Sequence, residues 1–413
     1  MKLVEIYNQK KNNFLFSDSS KFVELRDKLI AELNFSEKNN ESIKHIDPKA
    51  LSFEYKYKDI KNEISFLENK EDNIKINVVD GKVSTTAINK QNKFKFNINN
   101  IESNNNSICN KFLFYQNFFK KDYILNINSL FLNSGYEIII SENQEVNIII
   151  SNSVSEENLT IFQKNFIKCL DKCRVNIIEE YSSDKTSNNN IVNFIDICKE
   201  AEVNHFIIQS NKQNADLQST SFTNCGENSK YNQIIINISK ASMRNHHYAN
   251  IIGAESMVKL EGIFLASTNQ IVDNKTQINH QVPNANSNQC YKGILADNAK
   301  ASYLSKTLVD KEAQKTEAYQ LSKGILLSDN SFFHSKPELK IYADDVKCSH
   351  GSTIGPIDHE LLFYLRSRGL SKKESISLLI KSFFHSIINQ IDDQKIIDRL
   401  NLYSNNWILN NIT

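Results

Sequence analysis

The chain has 413 residues, 40% of them hydrophobic, enough for a sizeable core and for two or three domains. Its 49 Lys and Arg against 48 Asp and Glu leave a formal charge of +1, so nothing in the charge favours nucleic acid or an anionic membrane surface as partner. The opening residues lack the apolar stretch of a signal peptide, and no run approaches the roughly 20 apolar residues that span a bilayer, so a cytoplasmic protein is expected.

The first predicted element is a helix in SSKFVELRDKLIAELNF, capped by Ser19 or Ser20 and carrying Phe22, Leu25, Leu29 and Leu33 at three- to four-residue intervals. A polar, turn-rich loop follows around Asn99 to Asn110. From about Asn126 short β-branched runs recur. Val146 (EVNIII), Val175 (RVNIIE), Val203 (EVNHFII), Tyr231 (KYNQIII) and Val258 (VKLEGIFLA) succeed one another at 29, 28, 28 and 27 residues. A near-constant period of that size predicts a stacked solenoid in which each strand pairs with its equivalent one coil on. An antiparallel all-β domain is the alternative, and the period favours the parallel β-helix.

Helices return after Pro356. Asp358 is an N-cap, Arg366 and Arg368 sit near the C-terminal dipole, and Gly369 is the stop. Ser371 and Glu374 then form a capping box that opens a helix with a broad stripe of Ile376, Leu379, Ile380, Phe383, Phe384, Ile387, Ile388 and Ile391. Exposed, that stripe would dock a partner; covered, it is the core of a small helical domain. The expected fold is thus mainly β, a parallel β-helix (solenoid) core flanked by helical domains. Its divisions are a helical region with linker over 1–110, the β-helix over 111–345 and helices over 346–413.

Several enzyme classes are excluded by missing motifs. There is no G-x-x-x-x-G-K-[ST], G-x-G-x-x-G, HExxH or G-x-S-x-G, so the chain has no nucleotide site of its own and no complete catalytic constellation. Seven cysteines, odd in number and never in a CxxC pair, argue for reduced thiols rather than disulfides or a zinc cage. Cys348 and His350, at i and i+2, point to one side of an extended segment. Thiolate with imidazole suits iron, copper or zinc, but two ligands are half a site. Asp344 and Asp345 are either acid/base or metal groups, as a carbohydrate-active β-helix enzyme would need, or turn caps; the turn role is favoured. His246 and His247 alternate faces in a strand, so at most one points inward, and Cys169 and Cys173 are read as ordinary thiols.

The segment KPELKIYADDVKCSHGSTIGPIDHELLFYLRSRGL resembles the SufB/SufD family of iron-sulfur cluster assembly subunits, and its SufD branch in particular. CYKGIL (Cys290 to Leu295) and AQKTEAYQLSKGILLS (Ala313 to Ser328) resemble the family's β-helix turns. FEYKYKDI (Phe53 to Ile60) looks like its N-terminal motif, with Tyr55 where Trp is usual. The resemblance implies a non-catalytic scaffold that pairs through its β-helix with the paralogue SufB, or as a homodimer in a SufB-like role. It also implies C-terminal helices that dock the SufC ATPase, with Tyr364, Arg366, Arg368, Phe383 and Phe384 as docking side chains. Cys348 and His350 would then handle iron or a transient iron-sulfur cluster at the interface with SufB. One departure concerns VDNKTQINH, which has Asn274 where the family often has His and retains only His280.

Overall fold

The computed structural model describes residues 7–8, 11–33, 74–83, 96–101, 106–118, 122–211, 214–391 and 394–411. Strands alternate between two facing sheets of ten and nine strands, each coil giving one strand to each sheet, and almost every pairing is parallel. Val146, Val175, Val203, Tyr231 and Val258 stand in one column, residue on residue. Three members missing from the sequence reading complete it: Ser287, Ala318 and Cys348. Because side chains alternate along each strand, every second residue turns into the lumen, where the column packs with its counterparts from the other sheet.

The corner leading from the nine-stranded sheet to the ten-stranded one needs a left-handed residue in coil after coil. The chain supplies Asn143, Lys172, Glu200, Asn228, Glu255, Asn284 and Lys315, all with φ between 51° and 59°. Left-handed backbone costs a residue with a Cβ roughly 1 kcal/mol. Inter-coil hydrogen bonds offset that cost: the amides of Lys172, Glu200 and Asn228 donate to the carbonyls of Lys199, Glu227 and Ala254 at 2.9, 2.8 and 2.8 Å.

Gly293 meets a different demand. A Cβ there would lie 2.1 Å from Cζ of Phe264, a buried ring packed edge-on against Phe333 at 5.3 Å. Gly293→Ala is therefore expected to destabilise the fold by about 1–3 kcal/mol through overpacking. An unchanged denaturant midpoint would show that the ring has room to move.

Helices cover the outer face of each sheet. On the nine-stranded sheet, Phe112 and Tyr115 of helix Asn106–Phe118 lie against Phe194, which continues a stack of rings through Phe222 and Tyr248. On the ten-stranded sheet, Ile376, Ile380, Phe384 and Ile387 of helix Lys372–Ile388, with Ile391 just beyond it, pack on Ile234, Ile236, Ile263 and Ile294, so the broad stripe is covered. Lys292 fastens the seam, its Nζ donating to the Phe383 carbonyl (2.6 Å) and Ser386 Oγ (2.8 Å).

The local punctuation holds. Asp358 accepts from the amides of Glu360 and Leu361, Ser371 and Glu374 form the capping box, and Gly369 has φ 95°. Three boundaries differ from the sequence reading. Strands Ile74–Val79 and Phe96–Asn100 begin the two sheets inside the region read as helical, and helix Asn106–Phe118 begins where a loop was expected. Val346–Pro356, assigned to the C-terminal helices, is the last strand of the ten-stranded sheet, and helix His359–Ser367 follows it.

Candidate functional site

The candidate site lies at the C-terminal end of the solenoid. Strands Phe332–Ile341 and Val346–Pro356 each end their sheet, and among the described residues neither has a strand on its outer edge. Each therefore presents a row of unpaired backbone donors and acceptors 10 or 11 residues long.

Cys348 and His350 are inward positions of the last rung. Cys348 stacks on Ala318 and is half-buried against Val309, Ala313 and Ala343. Burial pushes its thiol pKa up. His350 stacks on Gln320, but no coil lies above it, so an inward position is exposed. The two side chains share one side of the strand at the solenoid mouth, as their i, i+2 spacing requires. Beneath them Gln320 is buried, its Nε2 donating to Thr307 Oγ1 (2.7 Å) and to the Glu338 carbonyl (3.2 Å), while Ser305 Oγ donates to its Oε1 (3.2 Å). The mouth therefore has a firm polar floor. The final coils also carry the exposed rings of Tyr319, Phe332 and Tyr342. Among the described residues no three His, Cys, Asp or Glu side chains gather closely enough to hold a metal ion, so Cys348 and His350 remain half a site.

Asp344 and Asp345 occupy the corner between the two terminal strands. The Asp345 amide donates to Gln314 Oε1 (3.0 Å) and its carbonyl accepts from the Lys315 amide (2.5 Å), a turn's hydrogen bonding. Of the adjacent histidines, His247 points into the lumen, bonding Gln233 Oε1 (3.0 Å) and Thr223 Oγ1 (2.9 Å), and burial drives its pKa down to about 3. His246 faces outward yet is also buried, with Nε2 on Asp273 Oδ2 (2.8 Å), beside an Arg244 to Asp122 ion pair (2.9 Å). Asn274 and His280 line the interior of another strand, His280 on Ser287 Oγ at 2.8 Å, away from the mouth.

The expected docking side chains divide. Tyr364, Arg366 and Arg368 are exposed, with the Arg368 guanidinium 5.2 Å over the Tyr364 ring. Phe363, 75% exposed, and Leu361, 50% exposed, extend that surface and were missed in the sequence, where helical periodicity alone could have placed them on the outer face. Phe384 is a correction: it is 2% exposed and packs on the ten-stranded sheet, so it is core. Phe383 is half-buried, its ring 5.2 Å from Lys292 Nζ. The motif around Tyr55 lies outside the described residues. No helix among the described residues is long and apolar enough to cross a membrane.

Comparison with known proteins bears on this geometry. Residues 120–383, nearly the whole solenoid and its first packed helices, match the family model of the SUF system FeS cluster assembly SufBD core domain. An iron-sulfur cluster assembly SufBD family protein of Synechocystis sp. is 36% identical over 207 residues, which cover 49% of this chain and 45% of that protein. The iron-sulfur cluster assembly protein SufD of Escherichia coli is 32% identical over 154 residues, 37% of this chain and 36% of that one. The protein of the same name from Plasmodium falciparum is 27% identical over 256 residues, 60% of this chain and 17% of that one. The chain thus spans less than half the length of each of these relatives.

Proposed function

The chain belongs to the SufBD family of the SUF iron-sulfur cluster assembly system, and from that premise we propose that it is a SufD-like scaffold subunit whose solenoid mouth closes onto a paralogous SufB chain. The observation that carries this reading is the pair of open strand edges with Cys348 and His350 between them. A second solenoid ending in the same way would satisfy both edges by strand addition, and its own soft ligands would complete the half site. Iron or a nascent cluster is then cargo, met at the seam. His350, exposed and without a coil above it, is the group free to reach iron; Cys348, half-buried, is a thiolate donor or a shaping neighbour. The exposed Leu361, Phe363, Tyr364, Arg366 and Arg368 form the surface for a SufC ATPase, which supplies the nucleotide chemistry this chain lacks. Because those residues and Phe384 belong to one run of helices, a pull on the outer helix is transmitted to the sheet through the packed one.

Co-expression with SufB and SufC tests the reading, comparing wild type with His350→Ala. His350 is exposed, so the variant is expected to fold and to assemble. The cluster reconstituted per complex is expected to fall about tenfold or more, which corresponds to a loss of at least about 1.4 kcal/mol in iron affinity. Full cluster yield from an intact complex would make the mouth structural and sink this assignment.

A further inference from the structure

Where the C-terminal helices meet the ten-stranded sheet, the packing changes character. On the outer face Ile208, Ile236 and Ile263 succeed one another coil on coil, and Phe206 and Ile234 do the same in the adjacent column. The next positions in those two columns are Lys292 and Glu261. Both are buried, 7% and 4% exposed. Each finds its partner on the helix that covers it or just beyond that helix's end. Lys292 Nζ donates to the Phe383 carbonyl and to Ser386 Oγ at 2.6 and 2.8 Å, and Gln390 Nε2 donates to Glu261 Oε1 at 3.2 Å. Residues 383, 386 and 390 fall at i, i+3 and i+7, so the three bonds lie along one face of the final turns of helix Lys372–Ile388.

Burial lowers the pKa of Lys292 and raises that of Glu261, so two charges are held here against a desolvation cost that the aliphatic residues of the earlier coils do not bear. What they add is direction. Ile376, Ile380, Phe384 and Ile387 would bury nearly as much surface if the helix slid or rolled on the isoleucines beneath it, because apolar burial is non-directional. The bonds to Lys292 and Glu261 exist in one seating only, and a slide of one turn, about 5.4 Å, breaks all three. We propose that Lys292 is a positioning residue which, with Glu261, fixes the register of this helix on the sheet. On the SufD-like reading, the same register aligns the helical surface offered to the ATPase with the strand that bears Cys348 and His350. That strand lies two strands from Lys292, reached through Lys323 and Thr353.

Hydrogen exchange on the full chain alone tests the clasp, comparing wild type with Lys292→Met, which keeps the stem and removes the ammonium. The amides of residues 383–390 are expected to lose protection by about tenfold or more, as the loss of hydrogen bonds to a charged group implies, while those after the Ser371 cap keep theirs. Ser386→Ala alters an exposed residue, keeps the fold, and is expected to move the same amides by less. No loss in either variant overturns the proposal, and so does a loss spread evenly along the helix in Ser386→Ala. The complex with SufB and SufC tests the consequence. Lys292→Met is expected to assemble in the same subunit ratio, since the surface of Leu361, Phe363 and Tyr364 is untouched, and to reconstitute less cluster. Full cluster from a complex whose helix has lost protection would overturn the positioning role and leave only a stabilising contact. Because exchange is read on the chain alone, it decides the clasp whether or not SufB and SufC are the partners.

Discussion

Lys164→Met is expected to stabilise the protein at pH 7, on the order of 3 kcal/mol. Lys164 is 2% exposed beneath the N-terminal helices, its Nζ 5.8 and 6.0 Å from the ring centres of Phe112 and Phe194, and no carboxylate pairs with it among the described residues. Burial lowers its pKa from 10.5 to about 7, with the buried Arg26 adding repulsion. The rings return only part of the lost hydration. Between pH 7 and 10.5 the unfolded chain holds more protons than the folded one, so this group makes stability rise with pH across that window. Below about 7 both states are charged and the penalty is full; above 10.5 both are neutral and it vanishes. Methionine keeps the stem and removes the charge. The gap between variant and wild type should therefore be widest below pH 7, still large at pH 7 and narrower by pH 9, as measured by denaturant unfolding. Buried Tyr136, Tyr181 and Tyr231, whose pKa values burial raises, also bend the alkaline limb, but they are common to both chains and cancel in the difference. A variant no more stable than wild type at pH 7, or a gap independent of pH, would mean that the ammonium is solvated.

What could be read from the sequence was whatever repeats or is settled locally. The valine and tyrosine period of about 28 located the column from Val146 to Val258 because consecutive coils bury the same position, and the caps at Asp358 and Ser371 need only neighbours within one turn. Strands Ile74–Val79 and Phe96–Asn100 escaped because they are short and their partners, Glu145–Ser153 and Tyr136–Ile140, lie far along the chain. Val346–Pro356 escaped for the opposite reason. As the last rung it has nothing above it to bury, so its inward positions carry Cys348, His350 and Ser352 and lose the apolar alternation that marks a strand. The irregularity that hid the strand is also what marks the site. Phe384 was misplaced because a stripe's periodicity shows which face is apolar and not what covers it.

The lumen's polar core was the least legible part, and it carries the second large effect. Glu179 is 1% exposed; its Oε1 accepts from Tyr181 Oη, and its Oε2 from His205 Nε2 at 3.1 Å. His205 Nδ1 then accepts from Tyr231 Oη at 3.0 Å, and Tyr231 in turn accepts from Gln233 Nε2 at 3.2 Å. Hydrogen placement follows from the network, since an ionised carboxylate can only accept. Glu179 stacks between Ile150 and Ile207, and His205 between Ile177 and Gln233, so only the Glu179 position is flanked by aliphatic residues on both sides. Glu179→Leu would leave the His205 Nε2 and the Tyr181 hydroxyl without an acceptor, and His205→Leu would strip the carboxylate of one of its two donors. Each single variant is expected to cost about 3–5 kcal/mol, the usual effect of breaking a buried pair from one side. In the double variant neither partner of the Glu179 to His205 bond remains to be stranded, and Leu at 179 meets aliphatic neighbours on both sides. Its cost should fall short of the sum of the singles by about 2 kcal/mol or more. Denaturant unfolding of the four chains measures that coupling directly. Additive losses would mean that Glu179 and His205 are held independently, and that the polar lumen is a set of separate contacts rather than one connected chain.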